Sequence, residues 1–160
     1  MTSLLALFAT SAVAAATAVS SVVVERKSIS SVASVRMVAA CEAAAEKNGW
    51  KLSIVVLDES GNLLTLRRME GAGVGTIQFA QDKARTALRM GRSTGDVADW
   101  VAAAGGRAQI VTNSLNLIAV KGGLPILLDG KVIGAIAASG AQPQQDEECA
   151  RAGVDAVIQP

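Results

Sequence analysis

The stretch from Gly122 to Gly140 constrains the fold of this chain more than any other. Two apolar runs, Ile126–Leu128 and Val132–Ala138, flank Asp129-Gly130. A two-residue type I′ turn needs positive φ at both central positions, which Asp tolerates and Gly adopts freely, so the spacing predicts a tight antiparallel hairpin. Gly122, Gly123 and Pro125 open its first strand. Glycine at such a place marks a bulge or a close approach by a ligand or another backbone.

The rest of the chain supplies helices and a second hairpin. Ser28, Ser30 or Ser31 can cap a helix running to about Lys47, with Val32, Val35, Val38, Ala39 and Ala45 on one stripe and Asn48-Gly49 as its stop. Lys51–Leu57 is rich in β-formers, Asp58–Asn62 turns the chain, and Leu63–Arg68 returns it. After Gly71, Gly73 and Gly75, Thr76 opens a helix to about Met90, whose Ile77, Ala80, Ala84, Ala87 and Leu88 recur at helical spacing. Thr94-Gly95-Asp96 begins a shorter helix ending at Gly105-Gly106. Gln109–Thr112 and Leu115–Val120 read as two irregular strands. A last helix spans about Gln144 to Ala152. Antiparallel hairpins separated by helices predict an α+β fold rather than alternating βαβ units.

Composition closes off several functions. The 160 residues suffice for one domain with a hydrophobic core. Half the chain is apolar, yet it has no Tyr and only two Phe and two Trp, so Val, Ile, Leu and Ala must build that core. A net charge of +1 with scattered Lys and Arg gives no concentrated basic face, which argues against nucleic acid. There is no histidine. That removes Ser-His-Asp and Cys-His catalysis, His-ligated zinc and His-ligated haem. Cys41 and Cys149, each beside alanine on an expected helix, read as small buried apolar residues in preference to a bridge, and two thiols alone make no zinc site.

Residues 1–24 carry no charged side chain; the first is Glu25. A short Leu-rich core, Leu4–Ala9, precedes an Ala-, Ser- and Thr-rich stretch suited to A-x-A cleavage, so residues 1–23 read as a secretory signal peptide and 24–160 as the functional domain. The alternative is an ordinary N-terminal helix that packs on the domain or a partner, in a cytoplasmic protein. The Leu-rich part is far short of the ~20 apolar residues of a stable membrane span. A secreted or periplasmic location would permit a Cys41–Cys149 bridge.

Several motifs carry chemistry. Gly71–Gly75 precedes a helix and could present backbone N–H groups to an anion, although it is neither a dinucleotide fingerprint nor a P-loop. Arg67 and Arg68 occupy neighbouring strand positions and so point to opposite faces. Asp146-Glu147-Glu148, in the first turn of the last helix, suit the helix dipole better than a metal.

Taken in order, Arg68–Ala72, Ala80–Ala87, Gly122–Gly140 and Gln145–Glu148 resemble the GlcG/HbpS-like family, which includes secreted haem-binding proteins; the resemblance covers about residues 30–158. It implies a profilin-like, five-stranded antiparallel sheet covered by helices, a homo-oligomer, and a small-molecule ligand, with haem or a related tetrapyrrole the candidate. It points to Arg68, Met69, Gly71, Lys83, Gly122, Gly123, Leu124 and Pro125 as ligand-binding residues. Arg68 or Lys83 would pair with propionates, and without histidine the axial candidates are Met69, Cys41, Cys149 or hydroxyls such as Thr112. No catalytic residue is assigned. A second reading is a small enzyme or accessory protein acting on a hydroxy acid or aldehyde, with Glu70, Asp82, Lys83 or Glu147 as acid or base.

A chain lacking residues 1–23 is expected to melt at the same temperature as the full chain, because the first amphipathic helix starts near Ser30. A large drop in melting temperature would show that the segment packs as part of the domain.

Overall fold

The computed structural model describes Val22 and residues 24–158. The leader expected for residues 1–23 therefore lies, apart from Val22, outside the described residues. Along the chain run α1 (Ser31–Asn48), β1 (Ser53–Asp58), β2 (Leu63–Arg68), α2 (Thr76–Met90), α3 (Thr94–Ala104), α4 (Gly106–Ser114), β3 (Gly123–Leu128), β4 (Lys131–Ser139) and α5 (Pro143–Asp155).

Local signals set most of these boundaries. Ser30 caps α1 by accepting from the Ala33 N–H, and Gly49 ends it in the left-handed region. Ser93 and Asp96 form a reciprocal capping box on α3. At the tip of the second hairpin Asp129 and Gly130 have φ of 52° and 72°, as a type I′ turn requires. The inner face of α1 differs from the expected stripe: Ser34, Met37, Val38, Cys41 and Ala45 are buried, whereas Val32 and Val35 are exposed. Ser34 is drawn inward by a 2.6 Å hydrogen bond with the Thr65 hydroxyl.

The two hairpins join through β1 and β4 into one antiparallel sheet of order β2-β1-β4-β3. The sheet has four strands, not the five expected. Gln109–Thr112 belongs to helix α4, where Ala108 and Thr112 share a buried face. Leu115–Val120 forms no strand, because its amides are already engaged: Leu115 donates to Val111 O, Leu117 to Thr112 O and Ile118 to Thr86 Oγ1. Asn116, at φ 49°, further breaks any extended run.

Helices cover both faces of the sheet. On one side α1 and α5 pack on Ile54, Val56, Leu124, Ile126 and Ile136. On the other α2 lays Ala80, Ala84 and Ala87 against Val55, Leu57, Ala135 and Ala137. Alanine against alanine lets the α2 axis approach the strands closely, and dense packing follows from shape rather than bulk. No helix among the described residues is long and apolar enough to cross a membrane.

Cys41 of α1 and Cys149 of α5 are bonded as a disulfide, correcting their reading as unpaired apolar residues. Both are wholly buried, so burial and pairing coincide here. The bridge closes a loop of 108 residues. A loop of that length is expected to stabilise the chain by about 5 kcal/mol through the unfolded state. Urea unfolding of the Cys41→Ala/Cys149→Ala double variant checks this; stability equal to the parent would contradict it.

Candidate functional site

The small side chains that bring α2 onto the sheet also carry Lys83 into the interior, where it is only 3% exposed. Its ammonium donates to Asp146 Oδ2 at 2.7 Å and to the Ala138 carbonyl at 3.3 Å. Asp146, in the first turn of α5, is equally buried, and its Oδ1 accepts from the Ala141 N–H at 3.0 Å. One ion pair thus ties α2, the end of β4 and the start of α5. Burial lifts the Asp146 carboxyl above the ordinary carboxylate range, against the opposing pull of the Lys83 ammonium and the Ala141 and Gly140 amides.

Gly122 and Gly123 wrap this pair. A β-carbon on Gly122 would stand 2.8 Å from Lys83 Nζ, and one on Gly123 would stand 2.6 Å from Lys83 O. The close approach that glycine marks at this strand start is therefore made by α2 itself. The Gly123 amide is held by the Thr94 hydroxyl at 2.9 Å, which anchors β3 to α3.

The other expected ligand-binding residues lie elsewhere. Arg67 turns to Glu42 of α1 at 2.7 Å. Arg68 donates to the Ala72 carbonyl and braces the turn containing Gly71, which has φ of 84°. Met69 and Leu124 are core residues on the α1/α5 side, and Pro125 is half-buried in β3. Lys83, Gly122 and Gly123 are thus brought together, while Arg68 and Gly71 form a separate turn. None of these residues lines the three concavities described here and below.

The largest of the three, about 580 Å³, is lined by Asp82, Thr112, Asn113, Asn116, Leu117 and Ile118. Its floor exists because Thr86 holds the Ile118 amide and Thr112 is turned inward from α4, donating to Gln109 O. Arg85 lies 3.2 Å from Asp82, and Arg89 donates to Leu115 O at 2.9 Å, so two guanidinium groups stand beside it. Exposed Ile110, Leu115 and Val120 belong to the same segment. Apart from Asp82 and Thr112, these residues carry no local signal of a pocket: Asn116, Leu117 and Ile118 fall in a run that reads as strand, and Asn113 in the break before it. A second concavity of about 420 Å³ lies between residues 25–27, Glu59 and the start of β4. Among the described residues, no three Cys, Asp or Glu side chains converge as a metal site.

Residues 29–155 match the family described as haem degrading protein HbpS-like. The chain belongs to that family. It is similar to protein GlcG of Escherichia coli K12, with 39% identity over 103 residues that make up 64% of this chain and 75% of GlcG. Among solved structures, a double mutant of Streptomyces reticuli HbpS superposes with a TM-score of 0.80 at 28% identity, covering 86% of this chain and 92% of that one. Klebsiella pneumoniae ORFY does so at 0.79 and 27%, covering 86% and 96%.

Lys83→Met leaves the Asp146 carboxylate buried without its cation, and is expected to cost about 3–5 kcal/mol at neutral pH in chemical unfolding. Adding Asp146→Asn should restore much of the loss, since the amide oxygen can still accept from Ala141; additive losses would contradict the pair. The folded carboxyl keeps its proton to higher pH than the unfolded one. The folded state therefore binds more protons between the two pKa values, and this group's contribution to stability falls as pH rises through that window. Asp146→Asn alone should remove that slope.

Proposed function

We propose that this protein is an exported, oligomeric binding protein for a small ligand, and that the ligand is haem or a related tetrapyrrole held without histidine. The observation that carries the reading is the concavity at Asp82 and Thr112–Ile118 in a chain of a family described as haem-degrading. Of the four axial candidates, Cys41 and Cys149 are consumed in a disulfide and Met69 is packed in the core. Thr112 alone borders a concavity of small-molecule size.

The residues fit one face of a flat macrocycle. Leu117 and Ile118 offer apolar contact and Thr112 a hydroxyl. Arg85 and Arg89, at the surface beside Asp82 and Leu115, offer guanidinium partners for propionates, whereas Lys83 is buried in its ion pair with Asp146 and Arg68 braces a turn elsewhere. Bound haem would supply an iron centre; the chain supplies burial, orientation and charge neutralisation.

The second face of such a ligand calls for another surface, which supports self-association. Leu63 and Leu66 on edge strand β2, with Phe79 on α2, are exposed large apolar side chains on a part of the molecule that α1 and α5 do not cover. The disulfide supports export, because such bonds persist in oxidising compartments. The enzyme reading has less support, since Lys83 is spent on Asp146 and Asp82 and Glu147 border separate concavities.

Titrating ferric haem into the oxidised chain at low micromolar concentration should give a saturable change in the Soret band. Thr112→Val should shift the position of that band while leaving the far-ultraviolet circular dichroism intact. Absence of any saturable change would overturn the haem reading.

A further inference from the structure

Of the three concavities, the one at residues 25–27 and a smaller one of about 220 Å³ at Lys121, Glu147 and Arg151 are lined by side-chain charges of both signs. The concavity at Thr112 differs, because one buried side chain joins two of its walls. Asp82 of α2 belongs to one wall, and Asn116, Leu117 and Ile118 form the other. Thr86 is wholly shut off from solvent. Its hydroxyl donates to the Asp82 carbonyl at 2.8 Å and accepts from the Ile118 N–H at 2.9 Å. The first bond fixes the side-chain rotamer against the preceding helical turn, which aims the remaining lone pair of the oxygen at the loop.

Packing alone does not call for this hydroxyl. The other uncharged residues on the buried side of α2 are Ala80, Ala84 and Ala87, and alanine is the better helix former. A buried hydroxyl costs free energy unless its donor and acceptor capacities are used, and here one serves the helix and the other the loop. The other bonds of the loop run to α4 or to a surface side chain: Leu115 donates to Val111 O, Leu117 donates to Thr112 O, and Arg89 donates to Leu115 O. Thr86 is therefore the buried tie between this wall and α2. Without it the Ile118 amide finds an acceptor only in water, which takes the loop away from the helix. The helix itself is a rigid post, since Lys83 is fixed by Asp146 about one turn earlier.

We propose that Thr86 is the positioning residue of this concavity, holding the Leu117–Ile118 wall at the spacing that a flat ligand needs; this rests on the reading of the concavity as the ligand site. Amide hydrogen exchange of the isotope-labelled, disulfide-intact chain without ligand tests the placement. Thr86→Val keeps the shape and loses the hydroxyl. It should speed exchange at Ile118 at least about tenfold relative to the central-strand amides of Val55 and Ile136, a ratio that corrects for any global loss of stability. Thr86→Ser keeps the hydroxyl and should stay within about threefold of the parent. Thr86→Ala gives the same reading should the valine variant not fold. In the Soret titration Thr86→Val should weaken ferric haem at least about tenfold, and Thr86→Ser should not. Unchanged relative protection of Ile118 in the valine or alanine variant, an equal loss in the serine variant, or parental haem affinity in the valine variant would each overturn the proposal. A parent that gives no Soret change overturns the haem reading instead, and exchange at Ile118 then decides the role of Thr86 by itself.

Discussion

Lys83 is held in the interior by a carboxylate that the chain supplies 63 residues later, and much of the α2 side of the molecule is arranged around that pair. Burying an ammonium and a carboxylate together is tolerable only with close geometry and satisfied remaining groups, which here come from Ala138 O and the Ala141 N–H. The requirement reaches outward. Residues 122 and 123 must lack side chains for the strand to pass beside Lys83, and Thr94 must hold the Gly123 amide where the ladder begins. Alanines on α2 then bring the helix close enough for the lysine to reach Asp146.

This arrangement also explains what the neighbouring surfaces can do. With its inward charge neutralised by Asp146, α2 offers on its outer side Asp82, which lines the Thr112 concavity, Arg85 paired with it, and Arg89 bonded to Leu115 O. The next residue after Asp146, Glu147, has no such partner for Oε2 among the described residues. Adjacent acids in one helical turn thus have opposite fates: one closes the fold, the other faces a concavity.

Both hairpins and the limits of α1, α2 and α3 were legible in the sequence because their signals are local. Serine caps, Asn48-Gly49 and Asp129-Gly130 act within a few residues of themselves. Residues 107–121 were not legible, since whether Leu115–Val120 forms a strand depends on the hydroxyl of Thr86, which takes the Ile118 amide. Asp146 looked like a helix-dipole acid for the same reason: its partner is remote, and the dipole reading is adequate locally. The cysteines, 108 residues apart, gave no local sign of pairing. Lys83, Gly122 and Gly123, three of the eight ligand-binding residues named by family resemblance, are neighbours in the fold through packing. Arg68 and Gly71 belong to a turn that does not meet them.

The central functional claim is a place on the molecule as well as a ligand. Ferric haem broadens amide resonances near its iron, so a spectrum of the labelled chain with substoichiometric haem reports that place directly. The account predicts selective broadening at Asp82, Thr112 and Asn116–Ile118. Broadening centred on Arg68–Ala72, or uniform loss with no focus, would contradict it.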